Sequence, residues 1–409
     1  YLDSFKILLG KSLRFWWYYM NILFYRYNSI CERDIIKAFE KLGHQVATID
    51  TEIFRKDVTP KETLSLVHNE LTLHSYDFVF SINFYPIISE VCNIHHIRYV
   101  SWIVDSPVLE LFSKSISNPW NRIFLFDSAL LSDFVKYNPD CIFYLPLACD
   151  VEDKQSYIQH TAANNIAKFT HQISFIGSLY SEKNPYSNLQ HNSDYMKGYL
   201  DSLMNLQQKI YGTYLIDEMI TPNIVQYFKQ NMKNMYIFPE KSHADYEALI
   251  SQYYIGTNIT VLERTHLLKM LSSIYDVDLY THSNTKNLPS IHVHPGANAI
   301  KEMPVIFHQS QINLNLTSRP IRNGVPLRVW DVLGCEGFLL TNYQNDLMQH
   351  FILGEHLDIY TSEEELREKA AYYLAHPAIT KEIAHNGYEY VKNHHTYKIR
   401  CDELIRTAF

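Results

Sequence analysis

The sequence predicts an α/β protein made of two open parallel sheets that face a cleft, with a helical insertion in the second half. Three observations predict it. Short β-rich apolar runs recur at helix-sized intervals; a polar stretch at about 150–168 divides them into two series; and no run of 18 apolar residues is present. A length of 409 residues suits two or three domains with a sizeable core.

The segment Tyr1 to Met20, which includes Lys11-Ser-Leu-Arg-Phe-Trp-Trp-Tyr-Tyr-Met20, is aromatic and basic. It reads as an N-terminal extension (1–19), with Met20 the expected natural start; a segment lying on a membrane surface is the alternative. Asn21-Ile-Leu-Phe-Tyr-Arg-Tyr27 then reads as a buried strand, followed by an Asn28-Ser29 turn and a helix over 32–42 that stops at Gly43. His44 to Ile49 is the next strand. Together these form a right-handed βαβ unit, and the runs at 78–82, 98–104, 122–126 and 141–145 continue it into a Rossmann-like domain over 20–165. The glycine-rich dinucleotide turn is missing, because Tyr27-Asn28-Ser29 stands in its place, which argues against bound NAD or FAD.

The second domain is expected over 166–390. Gln172-Ile-Ser-Phe-Ile176 is its first strand and ends in Gly177-Ser178, where a ligand can approach the backbone closely. Residues 188–254 have helical periodicity and read as an insertion before a helix over 261–274. Strands follow at 277–280, 291–294 and 312–315, then a short helix from Pro326 to about Cys335 and a strand at 338–340. An amphipathic pattern over 363–405 closes this domain, and 391–409 is expected to cross back to the first.

With 36 Lys+Arg against 44 Asp+Glu the net charge is −8, which removes the general attraction to nucleic acid. The six cysteines are dispersed, with no Cys-x-x-Cys pair, and fit a reducing cytoplasm. No stable membrane insertion is expected.

Ligands of open parallel sheets collect at the carboxyl ends of the strands. There the first domain offers Asp105, as a helix cap before Ser106-Pro107 or as a carboxylate in the cleft, and Asp127-Ser128. In the second domain Arg328 and Asp331 are three residues apart and share a helix face. An Arg at a helix start suits a diphosphate, and a carboxylate one turn later can accept two hydrogen bonds from a ribose diol; an ordinary intrahelical ion pair is the other reading. Asp276 and Asp278 have Asp-x-Asp spacing but fall at the start of a strand, away from the cleft. His292 and His294 share a strand face but lack a third ligand, and His394-His395 reads as a solvated helix end, so no metal site is expected.

Several stretches, taken in order, resemble the CgeB-like (spore maturation protein type) glycosyltransferases, a GT-B group. They are Trp102-Ile-Val-Asp105-Ser-Pro107, Tyr144-Leu-Pro-Leu-Ala148, Ser174-Phe-Ile-Gly177-Ser-Leu179, Ile312 to Thr317, Pro326-Leu-Arg328-Val-Trp-Asp331, and the tail from Ile383 to Tyr397. The resemblance is to the C-terminal half of that group over 313–400, and to its whole length over 20–409. It implies a GT-B fold and a cytoplasmic, bacterial enzyme. The implied reaction is metal-independent and needs no cofactor: transfer of a hexosyl or N-acetylhexosaminyl group from a nucleotide sugar, with UDP implied by the family alone. The acceptor would be a hydroxyl of a protein, glycan or small molecule.

More distantly, Asn323 to Asp331 is similar to the E-x7-E element of retaining GT-B enzymes. By that likeness Asp331 takes the ribose, and Asn323 stands where an acid contacts the donor sugar. An amide there cannot stabilise a developing positive charge. The resulting expectation places the diphosphate against Gly177-Ser178 and the Pro326 helix, with Arg328 and Lys183 neutralising it and Asn323-Gly324 behind the sugar. Asp105 then serves as base if the enzyme inverts, or positions the acceptor if it retains. A nucleotide-sugar-binding protein without turnover, or a structural spore-coat-like protein, is the alternative.

Overall fold

The computed structural model describes residues 19–161 and 163–409. Two six-stranded, all-parallel sheets form its centre. The first has the order β2-β1-β3-β4-β5-β6, built from Asn21–Tyr25 (β1), Gln45–Ile49 (β2), Phe78–Ile82 (β3), Arg98–Ile103 (β4), Asn121–Leu125 (β5) and Ile142–Tyr144 (β6). The second has the order β12-β11-β10-β7-β8-β9, from Ile173–Ile176 (β7), Val277–Tyr280 (β8), His292–His294 (β9), Ile312–Asn315 (β10), Leu339–Asn342 (β11) and Asp358–Tyr360 (β12). Helices cover both faces of such sheets, so the inner strands read as unbroken apolar runs; β3 (Phe-Val-Phe-Ser-Ile) is buried at every position.

The turn after β1 explains the missing glycines. Buried Glu32 accepts from the backbone N–H of Tyr27 (2.8 Å) and Ser29 (2.9 Å) and pairs with Arg26 (3.2 Å), while Asn28 takes the left-handed conformation at φ 74°. The donors that would cradle a phosphate in a dinucleotide fold are thus used by a carboxylate of the same turn. The helix Glu32–Lys41 follows, and Gly43 (φ 91°) turns the chain into β2.

Helix Val151–Gln159 links the sheets. Ion pairs tie it to the helix Glu32–Lys41: Arg33 with Asp153 (3.0 Å), Lys41 with Glu152 (2.5 Å), and Lys37 with both Asp153 and its N-cap Asp150. Residues 188–254 hold helices Asp194–Gln208, Ile216–Met219 and Pro222–Asn231, and helical turns over 246–256 run on into helix Thr257–Ser272. The C-terminal helix Tyr397–Ala408 returns to the first sheet. It packs on helix Glu32–Lys41; Arg122 Nε donates to Ala408 O (3.3 Å), and the Arg98 guanidinium lies 4.5 Å over the Phe409 ring.

Two local expectations are corrected. Pro326 is the N-cap of helix Leu327–Gly334 and not its first residue. His395 is buried, not solvated, because the chain turns inward there: Cys149 N donates to His395 O and Tyr397 N to Cys149 O, locking the crossover. All six cysteines are free and buried, and no helix among the described residues is long and apolar enough to cross a membrane.

Candidate functional site

The carboxyl ends of the two sheets meet. After β5, Asp127 accepts from the backbone N–H of Arg322 (2.9 Å) and Asn323 (3.3 Å), which belong to the loop after β10. Asp346, after β11, accepts in return from Ser128 N (3.0 Å) and Ser128 Oγ (2.6 Å). Ser106, after β4, donates to Pro320 O (2.8 Å). Each half therefore supplies a fully buried carboxylate that receives backbone donors of the other.

Beside this contact a cavity of about 60 Å³ lies between the turn after β1 (Cys31, Asp34), the linker (Asp150, Lys154), the segment after β9 (Ile300, Phe307) and helix Leu327–Gly334. Asp331 faces it. One oxygen is 3.0 Å from Lys154 Nζ and the other 3.5 Å from Arg328, so the expected pair within the helix exists but shares its acid with a second cation. The Arg328 guanidinium also lies 5.0 Å over the Phe307 ring, and burial lowers its pKa from the ordinary value. For Lys154, burial works against the charge, but its neighbours, Asp331 foremost and Asp34 least, outweigh it and hold the ammonium well above its ordinary pKa.

Asp34 is different. Among the described residues no hydrogen bond or ion pair reaches its carboxylate, although it lines the cavity. Burial pushes it up to about 6; Asp150 and Asp331 add to the rise and Lys154 opposes it. Asp34, Asp150 and Asp153 present oxygens within 4.8 Å of one another, but Lys37 pairs with the latter two, so cations of the protein already occupy that acidic corner.

Gly177 and Ser178 end β7 as expected. Ser178 Oγ donates to Glu182 (2.6 Å) and accepts from Tyr180 N (2.7 Å), so its hydroxyl is engaged in its own turn. Lys183 is exposed one residue beyond Glu182. The nearest buried cation is Arg264, on helix Thr257–Ser272. It donates through Nε to Leu316 O (3.0 Å) and through Nη1 to Ser178 O, bridging the carboxyl ends of β10 and β7, and stacks on Tyr180 at 5.0 Å. No carboxylate forms an ion pair with it among the described residues, and burial lowers its pKa. Its neighbour Glu263 is paired, with Arg319, through two 2.6 Å contacts.

Asp105 caps no helix, since the next helical turn begins at Leu109. Its exposed carboxylate accepts from Asn83 Nδ2 (2.7 Å), which also reaches Tyr27 Oη (3.0 Å). This places a polar trio from the ends of β1, β3 and β4 beside Cys31 and the cavity. Asn323 is engaged across the halves: its Nδ2 donates to Ser128 Oγ (3.0 Å) and its Oδ1 accepts from Asn345 (2.7 Å). The structure thus brings Asp331 to the cavity with Arg328 behind it, and Gly177-Ser178 near Arg264, while Asp105 sits at the first sheet's side of the cleft and Asn323 in the contact.

Sequence reasoning passed over Lys154, Asp34 and Arg264. Lys154 follows an Asp150–Asp153 helix start that reads as ordinary capping, and Glu263-Arg264 reads as a charged helix face. The available signal was position: Asp34 stands at the first helix after β1, where a cleft is expected.

Residues 264–406 match the family model described as glycosyl transferase-like. The fold is GT-B. Sucrose-phosphate synthase from Thermosynechococcus elongatus is similar at TM-score 0.55 and 9% identity, over 95% of this chain and 98% of that one. HepE from Anabaena, solved in complex with UDP-glucose, is similar at TM-score 0.53 and 10% identity, over 95% and 99%. Comparison with curated protein sequences gives no match.

Proposed function

We propose that the chain is a glycosyltransferase that moves a hexosyl or N-acetylhexosaminyl group from a UDP-sugar to an acceptor hydroxyl on a protein, glycan or small glycoside, without a metal. The observation that carries this reading is Asp331: a carboxylate held between two cations at the cavity where the carboxyl ends of both sheets meet, inside the segment that matches the glycosyl transferase-like family. The UDP-glucose bound by HepE, on a similar fold, is consistent with a uridine donor.

In this reading Asp331 accepts the two ribose hydroxyls, and the base lies along the segment after β9. The diphosphate runs toward Gly177-Ser178, where Arg264 and Arg328 supply fixed positive charge to the leaving group in place of a divalent ion, and Lys183 adds to it from the rim. Asn323-Gly324 back the sugar. The acceptor enters beside Tyr27, Asn83 and Asp105, with Asp105 as base or positioning group. Ligand sites of this kind typically measure about 300–1,000 Å³, so the roughly 60 Å³ cavity must enlarge as the halves part to admit the donor and then close to exclude water. A cytoplasmic location and a domain division near residue 165 belong to the same reading.

Calorimetric titration with UDP, GDP and dTDP, with and without EDTA, tests it. UDP is expected to bind with or without EDTA, and Asp331→Ala to lose that binding. A folded protein that binds none of the three at millimolar concentration would overturn the donor site and favour a structural role.

A further inference from the structure

The cavity is too small for the ligand proposed above, and one side chain occupies the atom that ligand needs. Lys154 Nζ sits 3.0 Å from Asp331 Oδ1, with the Lys154 side chain only 15% exposed. A ribose diol binds a carboxylate through both oxygens, so Lys154 and the nucleoside compete for the same group. Displacing a buried ammonium without a new partner is unfavourable. A partner is present: Asp34 lines the same cavity and carries no hydrogen bond or ion pair among the described residues.

The geometry points to Lys154 as the gate of the nucleotide site, passing from Asp331 to Asp34 when a ribose takes Asp331. The inference rests on the donor-site reading of Asp331. It also gives the linker a role. In the unliganded chain the linker helix is tied to the first half by Arg33, Lys37 and Lys41 and to the second by Lys154 alone of these cations. Moving Lys154 to Asp34 transfers its tie to the first half and leaves Gln155 Nε2 on Gly334 O (3.5 Å) as the polar contact between the linker and helix Leu327–Gly334, so nucleotide binding loosens that junction and couples occupancy to the relative motion of the halves.

The transfer has a protonic signature. The groups facing Asp34 are Arg33 and Lys37 on its own helix, Asp150, Asp153 and Lys154 from the linker, and Asp331; Lys37 is held by Asp150 and Asp153, and Cys31 and Tyr397 also border Asp34 and are kept protonated by burial. With Asp34 at about 6, roughly half of the free protein carries a proton there at pH 6. When the Lys154 ammonium arrives, the carboxyl gives that proton to the buffer and pairs as carboxylate, so binding releases about half a proton from this group.

The experiment is titration calorimetry of UDP into the full chain at pH 6 in two buffers of different ionisation enthalpy, for wild type, Asp34→Asn, Lys154→Met and Asp331→Asn, each checked for folding by its thermal transition. UDP phosphate releases its own proton in every variant that binds, so the difference between variants is the readout. Wild type is expected to release about half a proton more than Asp34→Asn, and Asp34→Asn to bind roughly tenfold more weakly because the displaced ammonium has no partner. Lys154→Met should also lack the extra release, which keeps the test open if Asp34→Asn does not fold. Proton release in Asp34→Asn or Lys154→Met equal to wild type, with UDP still bound, overturns the gate and leaves the donor site standing. Wild-type affinity in Asp331→Asn, or no UDP binding by the wild type, overturns the donor site and the gate with it.

Discussion

Gly324 shows how much one atom decides at this interface. A Cβ there would lie 2.7 Å from Asp127 Cβ and 2.9 Å from Asp127 Cα. The obstacle is backbone and the root of a side chain, neither of which can swing away. Asp127 is also fixed by its bonds to Ala129 N, Arg322 N and Asn323 N. Gly324→Ala is therefore expected to push the 322–324 loop off Asp127 and destabilise the protein by about 1–3 kcal/mol, read from urea unfolding. The Asn323-Gly324 pair reads in the sequence as a tight turn, but the chain only bends there, and the reason for the glycine lies elsewhere: Asp127 is nearly 200 residues away. The same limit separates Arg328 with Asp331, which share a helix face and were readable at three-residue spacing, from Lys154 on Asp331, which only the tertiary fold brings there.

At the scale of elements, strand and helix positions were readable because burial on both faces gives parallel strands continuous apolar runs, and because helix boundaries carry stop signals such as Gly43. The helix Thr257–Ser272 was readable as a helix but not as the beam across the ends of β7 and β10. Its hold depends on Glu263, which binds Arg319 in a two-point contact and accepts from Tyr211 Oη at 2.6 Å, all with little solvent exposure. Cutting such a pair from one side leaves a buried charge unmatched. Arg319→Met is expected to cost about 3–5 kcal/mol by denaturant unfolding, and Arg319→Met with Glu263→Leu to recover a large part of that loss. Equal losses in the single and double variants would show that the helix is held by its apolar packing instead.

Over the whole molecule, the two halves meet through apolar contacts such as Phe112 on Phe238 and through polar groups, and the polar groups make their union sensitive to acid. Tyr144 Oη, from β6, and His350 Nε2 share a hydrogen bond of 3.0 Å across the interface. His395 Nδ1 accepts from Arg400, its Nε2 has no partner among the described residues, and its ring lies 5.6 Å from that of His350. Neither imidazole can add a proton without placing a second cation beside Arg400. Burial first, and Arg400 next, lower His350 to about 4 and His395 to about 3. Both folded values lie below the unfolded value near 6.5, so the unfolded chain binds more protons at mildly acidic pH. Their contribution to stability is complete above pH 6.5 and is lost as the pH falls toward 4, at up to about 1.4 kcal/mol per pH unit for each histidine. Asp34 acts with the opposite sign, because a carboxyl raised to about 6 favours the folded state as the pH drops through that value. The total slope mixes these terms, and the histidine part is isolated by difference. Unfolding free energies measured by urea between pH 7 and 5 should fall more steeply for the wild type than for a His350→Gln, His395→Gln variant. Equal slopes would mean that the two rings accept protons in the folded interface, and that acid does not part the halves through them.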